Sequence, residues 1–131
     1  MHIGRSRFSQ IARTVPDSLG APVFEVKAEL FKALAHPARV RALEILAQGP
    51  EQSVGDLAEQ VGVEAAHLSQ QLAILRRAGV VVARREATTV YYSLRDPLLV
   101  ELLGVARKLL ISRLEETQDL LRGLANEEAG R

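Results

Sequence analysis

Between Ser53 and Leu94 the hydrophobic period of the chain switches from helical to extended at a single glycine, and this limits the folds open to it. Val54, Leu57, Ala58 and Val61 are spaced for one face of a short helix that Gly62 stops. A second helical run extends from Ala65 to Ala78, with Leu68, Leu72 and Leu75 on one stripe and Gly79 as its stop. The text then turns β-rich: VVVARRE, a short link through Ala87 and Thr88, and TVYYSL. Two short helices joined by a glycine-containing turn form a helix-turn-helix candidate, here followed directly by a hairpin. Ser53, three residues before Asp56, approximates a capping box at the start of the pair. The hairpin link has no glycine, so a loop longer than a tight two-residue turn is expected.

Helical text flanks this centre. Val23, Val26, Leu30 and Leu34, joined by Phe24 and Phe31, predict a helix from Val23 to Ala35. His36 precedes Pro37, and a residue before proline leaves the α region while proline suits a first helical turn. A second helix therefore begins at Pro37, runs through Val40, Leu43, Ile45 and Leu46, and stops at Gly49-Pro50. Asp96 and Pro97 restart a helix that continues to about Leu124. The expected architecture is α+β and mostly helical: four helices, a hairpin and a long C-terminal helix. Residues 1–22, with Arg5, Arg7 and Arg13 against Asp17, read as a basic arm or a loosely ordered terminus; 23–124 as the folded domain; 125–131 as a polar tail.

Composition narrows the function. A net charge of +1 with 25% charged residues rules out a chain that coats polyanions with its whole surface, so nucleic-acid contact requires a local basic patch. The absence of cysteine removes disulfides, thiolate metal sites and thiol nucleophiles. No apolar run is long enough to span a bilayer, and a cytoplasmic location without membrane contact is the expectation. His2, His36 and His67 are scattered, and neither GxGxxG nor GxxxxGK[ST] occurs, so neither an enzyme nor a cofactor is expected. His36 reads as a cap or packing residue at a helix junction, with metal ligation as the minor alternative.

The helix from Ala65 carries the most specific signal. At about 100° per residue, Ala66, Gln70, Ala73 and Arg77 lie opposite the Leu68, Leu72 and Leu75 stripe. Small residues around one glutamine suit a major groove, where Gln pairs bidentately with adenine and Arg reaches guanine or phosphate. Any surface helix shows a polar outer face, so the placement of basic residues decides. Arg76, Arg77, Arg84 and Arg85 bracket the end of this helix and the first hairpin strand, where phosphate contacts belong. Together with His67, Ser69 and the adjacent Gln71, these residues make up the expected DNA-binding set.

The segments LAHPARVRALEIL, SVGDLAEQVGVEAAHLSQQLAILRRAGVVVARRE and VYYSL, in this order, resemble the ArsR/SmtB winged helix-turn-helix regulators over residues 25 to 110. The resemblance implies a homodimeric repressor of double-stranded operator DNA whose fourth helix enters the major groove and whose hairpin is a wing. It also implies a dimer interface from the first and last helices, with Phe24, Phe31, Leu99, Leu103, Ala106, Leu110, Leu114, Leu121 and Leu124 as its apolar residues. On the last helix Leu98, Leu102, Val105 and Leu109 are then expected to serve the core. Metal sensors of the family often carry Cys-x-Cys at the start of the third helix, where this chain has Ser53 and Gly55, or histidine along the last helix, which here has none. Glu64 stands where a Ser or Thr cap is usual before the recognition helix. Two other functions remain open from sequence: a winged-helix protein-interaction module, and a repressor that senses a small molecule or hard ion at the dimer interface.

Overall fold

A computed structural model describes residues 20–130, so the basic arm lies almost wholly outside the described residues. Between Val23 and Ala129 the order is α1 (Val23–Leu34), α2 (Pro37–Ala47), β1 (Gln52–Ser53), α3 (Val54–Val61), α4 (Ala65–Arg77), β2 (Val81–Glu86), β3 (Thr89–Leu94) and α5 (Leu98–Ala129). Contacts divide the chain between Arg95 and Asp96, and the two units are described in turn.

Local chemistry sets the helix ends. His36 has extended backbone, and its Nδ1 accepts the Ala38 N–H at 3.1 Å, capping α2 with Pro37 in the first turn. Ser53 Oγ accepts the Asp56 N–H at 3.2 Å and opens α3. Gly62 closes α3 in the left-handed region at φ 85°, which glycine enters without a Cβ penalty. At the end of α4, Gly79 N–H donates to Arg76 O and Val80 N–H to Leu75 O, the two bonds of a Schellman motif, with Gly79 at φ 75°.

These ends point the leucine stripes inward. Leu43 of α2, Leu57 of α3, Leu68, Leu72 and Leu75 of α4 and Val81 of β2 are fully buried. Each side chain of this size contributes roughly 1.5–3 kcal/mol by burial, so the central core fixes which face of α4 remains outside. All three leucines of the α4 stripe fall where their spacing places them.

The sheet differs from the sequence reading in two ways. It has three strands in the order β1-β3-β2, all antiparallel, because Gln52 and Ser53 pair with Tyr92 and Tyr91. A two-residue strand is too short to leave a periodic signal. The hairpin is also tight: Glu86 pairs with Thr89, leaving only Ala87 and Thr88 in the turn, and Ala87 takes φ 55°. The expectation of a longer loop is therefore corrected. Left-handed backbone costs a non-glycine residue about 1–2 kcal/mol, which the continuous ladder from Val81↔Leu94 to Glu86↔Thr89 offsets.

The second unit is α5. Asp96 Oδ1 accepts the Leu98 N–H at 2.9 Å and starts the helix. It continues to Ala129, past the expected end near Leu124, because residues 125–129 contain no breaker and Gly130 is the first glycine beyond Gly123. The division of its apolar residues is also corrected. Leu98, Val105 and Leu109, expected in the core, are 64%, 60% and 62% exposed, whereas Leu99, expected to face a partner, is 9% exposed. The spacing admits two apolar faces and does not distinguish their exposures.

Candidate nucleic-acid interface

With Leu68, Leu72 and Leu75 buried, α4 turns Ala66, His67, Ser69 and Gln70 outward, all four exposed. Ser69 and Gln70 make no side-chain hydrogen bond among the described residues, so their donors and acceptors are available. Arg76 and Arg77 are exposed in the last turn of α4, where the helix dipole favours cations. Gln71 differs from Gln70: it is half-buried, and its Oε1 is buried without a hydrogen-bond partner. Glu64 precedes α4 with extended backbone and gives no side-chain cap, leaving the first N–H groups of this helix without a side-chain acceptor.

The structure brings together His36 and His67, which the sequence shows only as isolated residues. Their ring centroids are 6.1 Å apart, one ring at the cap of α2 and the other on α4. On the same packed pair of helices, Arg39 Nε is a second buried group without a partner.

The two wing arginines, equivalent in sequence, are not equivalent in space. Side chains alternate along β2, and Arg84 lies opposite Tyr91 of β3, with its guanidinium carbon 4.9 Å from the ring centroid. Arg84 Nε donates to both Glu51 carboxylate oxygens at 3.1 Å, Nη2 donates to Glu51 Oε1, and Nη1 donates to Glu86 Oε2 at 2.9 Å. The Arg84 hydrogen bonds, with the coulombic attraction behind them, hold the Glu51 carboxyl below its ordinary range. Both carboxylates in turn raise the Arg84 pKa. Arg84 is thus held in a carboxylate fork, with its side chain still 49% exposed. Arg85 is exposed on the other side of the strand and has no ion pair among the described residues. No local pattern marks Glu51, because a residue 33 positions away meets Arg84 only once β1 joins the sheet.

The donor set at the family's thiolate positions does not fit a soft metal ion. Ser53 Oγ is committed to capping α3, and Gly55 has no side chain. Among the described residues, no three His, Cys, Asp or Glu side chains are grouped to hold a metal. No described helix is long and apolar enough to cross a membrane.

A model of bacterial regulatory proteins of the arsR family matches residues 36–82, which run from the α2 cap to β2. The uncharacterized HTH-type transcriptional regulator Rv0081 of Mycobacterium tuberculosis is 50% identical over 104 residues, 79% of this chain and 90% of the relative. Its crystal structure superposes with a TM-score of 0.67, covering 74% of this chain and 97% of that one. A solution structure of a homodimeric winged helix-turn-helix DNA-binding domain from Mycobacterium bovis is 32% identical with a TM-score of 0.65, covering 72% of this chain and 86% of that one. A biofilm growth-associated repressor of Agrobacterium fabrum is 49% identical over 67 residues, 51% of this chain and 56% of the relative. With the relatives described as transcriptional regulators, and α3, α4 and the β2-β3 wing in the matching arrangement, this chain is a winged helix-turn-helix protein and belongs to the arsR family of bacterial regulatory proteins.

Proposed function

We propose that the chain is a cytoplasmic, homodimeric repressor that reads operator DNA with the outer face of α4. The observation that carries this reading is the exposed Ser69-Gln70 pair on a helix whose opposite side is locked into the core by Leu68, Leu72 and Leu75. A rigidly seated helix with small neighbours presents Gln70 to a base edge at low entropic cost. Arg76 and Arg77 hold phosphates at one end of the helix and Arg85 holds them from the wing, while Arg84 stays in its carboxylate fork. His67 and Gln71 lie beside the reading face and contribute less. Dimerisation follows from the apolar surface of α1 and α5, where Phe24 and Phe31 are 67% and 56% exposed. No soft metal acts as inducer, because the thiolate and last-helix histidine positions hold no ligands.

Selection from a random duplex pool tests this reading. Enrichment of a two-fold symmetric site, with half-sites about one helical turn or a multiple apart, is the expected result. Recovery of no preferred sequence, together with binding explained by charge alone, would leave a basic winged-helix surface that does not read bases.

A further inference from the structure

We infer that Glu51 and Glu86 withhold Arg84 from DNA: the two carboxylates compete with backbone phosphate for its guanidinium and so lower the affinity of the chain for every duplex, whatever its sequence. The inference rests on the DNA-reading function proposed above and deepens it by naming the residues that limit the phosphate contacts of the wing. All three nitrogens of Arg84 are engaged. Glu51 takes the Nε and Nη2 edge, the paired donors that would otherwise clasp a phosphate, and Glu86 takes Nη1. One cation between two carboxylates leaves the cluster with an excess of negative charge. Next to it in the chain, Arg85 is exposed on the other side of the strand with no ion pair among the described residues. Two adjacent arginines thus supply the wing with one available cation.

A fork that only braced the fold would need less. Glu51 joins the link before β1 to the wing, but the backbone ladders of β1 with β3 and of β2 with β3 already hold these segments together. Glu86 lies two residues from Arg84 on the same side of the same strand, so its contact ties no distant segment. With Glu86 67% and Arg84 49% exposed, that contact is a single ion pair in water, a kind that contributes little to stability. What Glu86 does change is charge. Both carboxylates lie within a Debye length of any phosphate that Arg84 reaches, and moving the guanidinium to that phosphate leaves them facing the DNA backbone without it. The fork therefore opposes the exchange twice, by occupying the donors and by repelling the phosphate. Phosphate charge is the same at every sequence, so the effect is equal on operator and random duplex, unlike that of Gln70.

Fluorescence anisotropy of the full chain on random duplex, between about 50 and about 200 mM salt, tests the competition. Glu51→Gln/Glu86→Gln keeps both side-chain lengths and removes both charges. It should tighten binding on the order of tenfold at the lower salt and steepen the salt dependence by about one unit. Glu86→Gln alone, which leaves the Glu51 contact in place, should shift both in the same direction by less. Adding Arg84→Ala to the double variant should return the slope to that of the parent, because the gained contact belongs to Arg84. A fork that only braces the wing changes affinity without changing the number of counterions released. An unchanged slope in the double variant overturns the inference. A steeper slope that survives Arg84→Ala also overturns it, since the carboxylates then act on the DNA directly and not through the guanidinium. A parent that binds random duplex but selects no operator overturns the DNA-reading function alone; a parent that binds no duplex overturns both.

Discussion

Replacing Gln70 with Ala separates recognition from folding, because the structure gives this side chain nothing to do in the folded monomer. Gln70 is exposed, makes no hydrogen bond among the described residues, and sits about 160° round α4 from the buried leucines. Alanine is the better helix former, so the unfolding free energy should stay within about 0.5 kcal/mol of the parent. Loss of one bidentate base pairing should cost about 1–3 kcal/mol on the selected operator, a weakening of roughly 5- to 150-fold. On random duplex the loss should be close to zero, since an uncharged side chain releases no counterions. The assay is fluorescence anisotropy with operator and scrambled duplexes at several salt concentrations. Parent and variant should give parallel salt dependences, separated only on the operator. Equal weakening on both duplexes, or an unaffected operator affinity, would show that Gln70 reads no base.

The wing arginines should behave differently: Arg85→Ala should flatten the salt dependence by about one unit, and Arg84→Ala should leave it nearly unchanged because Glu51 and Glu86 already occupy that guanidinium. The reverse ranking in the same titration would place Arg84 on the phosphates. The Glu51 carboxyl has a folded pKa below its ordinary value, so the contribution of the fork is fully present above the unfolded pKa and is lost as pH falls through the folded one. A side-chain carboxyl NMR titration should therefore find its midpoint below the ordinary glutamate value, and Arg84→Ala should return it to normal; a normal midpoint in the parent contradicts the fork. Ala87→Gly relieves left-handed backbone at the wing tip and, after the greater entropy of glycine in the unfolded chain, should raise stability by about 0.5–1 kcal/mol in urea unfolding. Destabilisation would mean that the alanine methyl has a packing role. Zinc, cadmium and arsenite should neither bind tightly nor release DNA, and a submicromolar zinc isotherm with loss of operator binding would refute this.

The helix-turn-helix was legible in the sequence because its signals are local. Leu68, Leu72 and Leu75 at helical spacing, Ser53 before α3, and glycines at 62 and 79 each act within one or two turns, and each appears in the structure as read. The outer face of α4 follows from the same periodicity, which fixes Gln70 outside once the leucines are inside. Features that depend on meetings between distant segments were not legible. Arg84 and Arg85 are neighbours of identical chemistry, and only the pairing of β1 with β3, which brings Glu51 to the wing, ties down one and leaves the other without an ion pair among the described residues. His36 and His67 lie on different helices and meet only through the packing of α2 against α4. On α5 the sequence specified two apolar faces but not their roles, because periodicity records which residues share a side and carries no information about what covers it. Side-chain exposure separates Leu99, at 9%, from Leu98, Val105 and Leu109, at 64%, 60% and 62%, because exposure depends on atoms that the fold brings near and periodicity does not record them.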